Sequence, residues 1–320
     1  MTHLPLVPSG VPDQEAALAS ADAFFAVAAA VLGVVFLVFL AAANRWFRPY
    51  WGAVWLAAMP VFATAGVINW DVFALAAGVG ALLAWRRGHW LVGGLATGFA
   101  LGFGWYPILL LVLLVWRAIG DRRLSALLWA VFGTVAGAAA INLPAILASP
   151  VEWWRSVVGA MAAPAGLGSL WWILADIGLQ LPGQVVVSAI FMLFGGYLVL
   201  WWLHGLPTPP GPGVVLFSIT SATFILAPSW SPQMSMWLMF TLILAAATLR
   251  QVLLVAGAEL LYFVAVWTHL RGGFAPSNAP VDPLYWVAIL ARVVVVAWVA
   301  VQVLQRLRRL SVAFPPPDSA

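Results

Sequence analysis

The stretch FFAVAAAVLGVVFLVFLAAA, residues 24–43, followed at once by NRWFR at 44–48, decides how this chain is to be read. Twenty residues without a charge are what an α-helix needs to cross a bilayer of about 30 Å. Asp13, Glu15 and Asp22 precede the run, and Arg45 and Arg48 follow it. Segments rich in arginine stay in the cytoplasm during insertion. The run therefore reads as a span with its N-terminal side external.

Working outward, the same punctuation repeats. All 14 basic residues are arginines. Arg86 and Arg87, then Arg117, Arg122 and Arg123, then Arg250, then Arg306, Arg308 and Arg309 fall in alternate gaps between apolar runs. The intervening gaps hold only Arg155 and Arg271. This alternation predicts a multi-pass protein of the plasma membrane with its N-terminus external and its C-terminus cytoplasmic.

Composition supports that class. With 64% apolar and 8% charged residues and a mean hydropathy of +1.04, the chain lies far from soluble domains, in which about a quarter of residues are charged. The net charge of +4 does not indicate nucleic acid, because the arginines sit at helix ends rather than on one aromatic-laced face. Cysteine is absent, which excludes disulfides and thiolate chemistry.

The expected fold is all-α, a polytopic bundle of about 10–11 spans. Apolar stretches fall near 24–43, 51–67, 71–85, 90–105, 107–117, 124–142, 185–203, 213–229, 234–249, 251–269 and 285–305. The chain divides into an external tail (1–23), a first set of spans (24–144), an external loop (145–184), a second set (185–305) and a cytoplasmic tail (306–320). Pro150, Pro164, Gly166, Gly168, Pro182 and Gly183 prevent the 145–184 segment from spanning as one helix. Two amphipathic interfacial helices are expected there, near 151–162 and 169–179. Many of the 20 tryptophans stand at span ends. Trp46, Trp51, Trp70, Trp85, Trp90, Trp105, Trp116, Trp230 and Trp286 read as interfacial anchors.

Polar groups are few, so each carries weight. Asp71, in Asn69-Trp70-Asp71, stands at an external junction, where a carboxylate can face water and act as an acid, a base or a metal ligand. Its bland alternative is a helix cap. Tyr106-Pro107 and Ser231-Pro232-Gln233 mark further junctions on the same side. Glu152 and Arg155 are one turn apart and would pair, while Arg155 and Arg271 are the external cations available to a phosphate. Glu259 and Arg292 lie in the last two spans at similar depth. An unpaired intramembrane charge is costly, so they are expected to pair as a structural clamp. The histidines His3, His89, His204 and His269 are too scattered to form a metal cluster. The sequence specifies no cofactor and leaves a divalent metal undecided.

Taken in order, NWDVFALA (69–76), AWRRGH (84–89), GGLATG (93–98), WYP (105–107), NLP (142–144), GSLWW (168–172), SPQ (231–233) with Trp237, and AELLYFVAVW (258–267) resemble actinobacterial glycosyltransferases of family 87. Those polytopic enzymes have the GT-C fold and use polyprenyl-phosphate sugars. The resemblance implies transfer of a mannose- or arabinose-like sugar from such a donor to a cell-envelope glycolipid or glycan on the non-cytoplasmic face. If the chain is active, Asp71 is the candidate for the catalytic carboxylate. Asn69, Trp70, Tyr106, Glu152, Arg155, Ser169, Trp171, Trp172, Ser231, Gln233 and Arg271 become substrate-binding candidates. The chain departs from the family at Gly104, within Ala227–Trp230 and within Ala162–Pro164, where family members carry cations. GT-C enzymes also carry a first span and a long acidic external loop ahead of this region. The resemblance therefore implies upstream sequence, a partner subunit supplying that part, or a silent relative that binds a lipid-linked glycan without catalysis.

Overall fold

The computed structural model describes residues 14–46, 59–66, 70–179, 181–274 and 282–313. These form thirteen helices and no strand. In chain order they are α1 (Gln14–Trp46), α2 (Pro60–Ala65), α3 (Asp71–Arg86), α4 (Trp90–Leu101), α5 (Ile108–Gly120), α6 (Leu124–Ala148), α7 (Pro150–Met161), α8 (Leu170–Asp176), α9 (Gln184–His204), α10 (Pro212–Leu226), α11 (Met234–Leu244), α12 (Leu249–Leu270) and α13 (Pro283–Ala313).

Five helical stretches are long and apolar enough to cross a membrane: Ala19–Arg45, Leu124–Ala148, Gln184–His204, Leu249–Leu270 and Pro283–Arg309. The chain is a membrane protein built as a helical bundle. Among the described residues, α4, α5, α10 and α11 are apolar but shorter. At about 1.5 Å per residue they fall short of a full crossing. Turns cut them: Gly102–Pro107 ends α4 and starts α5, and the Ala227–Gln233 segment separates α10 from α11. Most of the stretch expected at 51–67 lies outside the described residues, as does the N-terminal tail up to residue 13.

At the centre lies α11, where Met234 to Leu242 are all buried. A helix apolar on every side belongs inside a bundle. Around it pack α2, α3, α10 and α12. Phe240, Trp237, Phe217, Leu110 and Leu75 fill the core between these helices. Trp237 lies so close to α3 that a Cβ on Gly78 would stand 2.9 Å from its ring. Only 6% of the α9 window is buried, against 50% for α12, so α9 rides on the outside.

The tightest helix pair is α4 with α6. Gly94 and Gly98 on one helix face Gly133 and Gly137 on the other, each pair four residues apart and thus on one face. A Cβ on Gly94 would lie 2.2 Å from the Ala130 carbonyl oxygen, and one on Gly98 2.1 Å from that of Thr134. The reciprocal glycines are equally close, with Gly133 2.4 Å from Leu91 O and Gly137 2.4 Å from Leu95 O. Small residues at this spacing let backbones meet within a membrane, where water supplies no driving force for association.

Alternate helix ends gather at two poles. Asp71 starts α3 and Arg86 ends it; Tyr106 precedes α5 and Arg117 lies in its last turn. Arg306 near the end of α13 donates to the Ala246 carbonyl at 3.1 Å, just after α11 ends. One pole is therefore arginine-bearing, and the other carries the polar motifs.

The 145–184 segment holds two short helices that differ in anchorage. No residue of α7 is buried. By contrast, α8 is capped by Ser169, whose Oγ accepts from Trp172 N at 3.0 Å and donates to Gly166 O at 2.8 Å. The indole of Trp171 donates to Leu226 O at 2.9 Å. Two backbone bonds, Gly166 N to Pro228 O (2.8 Å) and Trp230 N to Leu167 O (3.2 Å), tie the loop before α8 to the α10–α11 connection.

Candidate functional site

Three polar assemblies run from the motif pole into the bundle. The first joins α3 to the α4–α5 turn. Tyr106 donates through its hydroxyl to Asp71 Oδ1, and both residues are buried. Burial, together with the neighbouring carboxylate, pushes the Tyr106 phenol well above its ordinary pKa, which keeps it protonated as the donor. Asp71 Oδ2 is buried without a hydrogen-bond partner among the described residues. Both sequence expectations for Asp71 are thus corrected. It does not face water, being 2% exposed, and it caps nothing, because Trp70 occupies the cap position and Asp71 is the first helical residue.

The second assembly lies about 14–16 Å along α12 and α13 from their ends at this pole, by the helical rise. Arg292 Nε stands 3.2 Å from Glu259 Oε1, with side-chain exposures of 0% and 1%. Ser235, in the first turn of α11, donates to Glu259 Oε2. The guanidinium carbon of Arg292 sits 3.8 Å from the centre of the Trp230 ring and 3.9 Å from that of Tyr262. Its Nη1 and Nη2 have no hydrogen-bond partner among the described residues. Two aromatic faces thus replace the hydration that burial removes from the cation. Trp230, expected as an interfacial anchor, is instead fully buried.

Phe224 links these assemblies, with its ring 6.2 Å from that of Tyr106 and 5.9 Å from that of Trp230. Tyr106 also packs on Trp237 at 5.3 Å. The glycine of GSLWW serves close approach. Gly168 has φ +77, and a Cβ there would stand 2.3 Å from both Trp230 O and the Tyr262 hydroxyl.

The third assembly runs outward from Tyr262. Its hydroxyl bonds that of Tyr285 at 3.0 Å, and the Tyr285 ring stacks on His269 at 4.3 Å. His269 Nδ1 lies 2.6 Å from Asp282 Oδ2, while Asp282 Oδ1 caps α13 through Tyr285 N at 3.1 Å. Asp176, at the end of α8, accepts from the Trp286 indole at 2.7 Å. Beside it opens a groove of about 650 Å³ lined by Trp172, Asp176 and Gln184 among mostly apolar residues such as Val158, Met161 and Leu181.

The other expected residues are placed as follows. Trp172 lines the groove; Trp171 and Ser169 are engaged in anchoring α8. Glu152 and Arg155 pair at 2.6 Å on the exposed face of α7, with exposures of 53% and 70%. Arg271 is exposed at the end of α12, Trp70 is exposed at the start of α3, and Ser231 and Gln233 are half-buried before α11. Asn69 lies outside the described residues. Asp176, Tyr262, His269, Asp282 and Tyr285 were not singled out as site residues by sequence reasoning. Asp282-Pro283 was the one available signal, a cap residue followed by proline at the first helical position. Among the described residues no group of three or more His, Cys, Asp or Glu side chains could hold a metal ion. No protein-family model, curated protein or solved structure matches this chain.

Proposed function

We propose that this protein is a membrane glycosyltransferase that moves a sugar from a polyprenyl-phosphate donor to an envelope glycolipid or glycan on the non-cytoplasmic face of the plasma membrane. The observation that carries the reading is convergence. Five motifs spread over residues 70–267 hold one another from one pole inward: Asp71 through Tyr106, Tyr106 through Trp237, Gly168 against Trp230 and Tyr262, and Ser235 on Glu259. That pole is opposite the Arg86 end of α3 and the Arg117 end of α5. A lipid-borne sugar presents hydroxyls and a hydrocarbon tail together, and the groove supplies matching partners. Asp176 and Gln184 can bond hydroxyls, Trp172 can stack on a pyranose or furanose face, and the apolar wall can hold the tail.

In this reading Asp71 is the general base. Tyr106 fixes one of its oxygens and leaves the other to accept the acceptor hydroxyl's proton. The hydroxyl oxygen bonds the anomeric carbon as the polyprenyl phosphate departs. Purified protein in nanodiscs, given radiolabelled polyprenyl-phosphate mannose or arabinose and an envelope lipid extract, is expected to transfer label, and Asp71→Asn to stop transfer while donor remains bound. Absence of donor binding in the unsubstituted protein sinks the proposal.

A second reading has its own support. Asp71 is buried, and no arginine lines the groove. A silent relative that binds a lipid-linked glycan, or serves as partner subunit to a catalytic chain, fits those two facts. The same assay separates the two, since a binder retains donor in stoichiometric amount and never turns it over.

A further inference from the structure

At the opposite pole, between the end of α3, the end of α5, the start of α6 and the α10 and α11 ends, the bundle encloses a second cavity of about 680 Å³. We propose that it binds an anionic phospholipid, with the headgroup phosphate held by Arg117 and Arg123 and an acyl chain entering the apolar interior. This site is independent of the motif pole and of the sugar-transfer reading.

The charge pattern defines the ligand's head. Arg86 at the end of α3, Arg117 in the last turn of α5 and Arg123 at the cap of α6 line the cavity, against a single carboxylate, Asp121. All four are exposed, so they form a rim rather than a floor. Arg117 and Arg123 have no ion pair or side-chain hydrogen bond among the described residues. Two unengaged planar guanidiniums beside one cavity suit bidentate contact with phosphate oxygens. Arg122, between Asp121 and Arg123, has φ 54, a left-handed conformation costly for a side-chain-bearing residue. The chain thus makes its sharp turn immediately before Arg123, which lines the cavity.

The interior defines the tail. Leu82, Leu113, Leu114, Ala118 and Ala126 line the cavity and are buried. A free inorganic anion would leave that surface empty, whereas a hydrocarbon chain covers it. The rim stands at the Arg86 end of α3 and the Arg117 end of α5. Basic pockets between membrane helices on the arginine-rich side select anionic lipid heads.

The test is lipid retention by the full chain, followed by native mass spectrometry and thermal unfolding in neutral detergent. Phosphatidylglycerol is expected to remain bound and to raise the Tm, with phosphatidylcholine retained at least about tenfold less. Inorganic phosphate at millimolar concentration is expected to leave the Tm unchanged. The double variant Arg117→Gln/Arg123→Gln should lose phosphatidylglycerol affinity by about tenfold or more. Arg87→Gln/Arg122→Gln removes the same charge from neighbours that do not line the cavity, and should retain the lipid. The proposal is overturned if inorganic phosphate stabilises as well as the lipid does, if both double variants lose lipid equally, or if no lipid is retained.

Discussion

Among the described residues are two glutamate–arginine pairs that look alike in sequence and differ in nearly every physical respect. Glu152 and Arg155 meet at 2.6 Å on the exposed face of α7; Glu259 and Arg292 meet at 3.2 Å with essentially no exposure. The shorter contact is the weaker one. On an exposed helix, water and ions screen the attraction, and ordering two long side chains offsets most of what remains. In the bundle neither charge has water to return to, so each depends on the other and on Ser235, Trp230 and Tyr262. Distance alone therefore ranks the two pairs in the wrong order.

The comparison can be broken most forcefully at Arg292. Replacing it with Met leaves Glu259 buried without its counter-charge and is expected to destabilise the protein by about 3–5 kcal/mol, read by denaturant titration in mixed micelles. Replacing both residues together, Glu259→Leu with Arg292→Met, should recover most of that loss, because an apolar pair of similar volume needs no compensation. If the double variant is as unstable as the single one, the clamp contributes specific geometry rather than charge balance. One step outward, Tyr262→Phe removes the hydroxyl that bonds Tyr285 and keeps the ring over the guanidinium. It should cost about 1–2 kcal/mol, and a loss as large as that of Arg292→Met would mean the hydroxyl, not the ring, supports the cation. Smallest of all, Glu152→Gln should change stability by no more than about 1 kcal/mol. Raising salt to 1 M should erase that difference, since screening acts on the exposed pair alone.

These contrasts also mark what the sequence could convey. The spans at α1, α6, α9, α12 and α13 follow from long apolar runs that carry few charges, because insertion is governed by local composition. The contact of Glu259 with Arg292 was readable for a related reason: two opposite charges at similar depth in an apolar medium have few other partners. Trp230 was not readable in the same way. A tryptophan before Ser231-Pro232 looks like an interfacial anchor, and only the return of α13 brings Arg292 against its face. The same holds for Asp71, whose partner Tyr106 is 35 residues away, so local spacing does not reveal the contact. The third assembly is not legible in the sequence, because Asp176, His269 and Asp282 come from separate elements and acquire meaning through contact.

The outward position of α9 has a consequence for how this sequence can change over generations. With 6% of its window buried, α9 presents one long side to its surroundings and packs the other chiefly on α10. Leu, Ile, Val and Phe are nearly synonymous along the outward side, and drift there is close to silent. Along α11, buried from Met234 to Leu242, nearly every letter is read by a neighbour. A library randomised within apolar residues should return many functional versions of α9 and few of α11, so that the two helices evolve at different rates within a single fold.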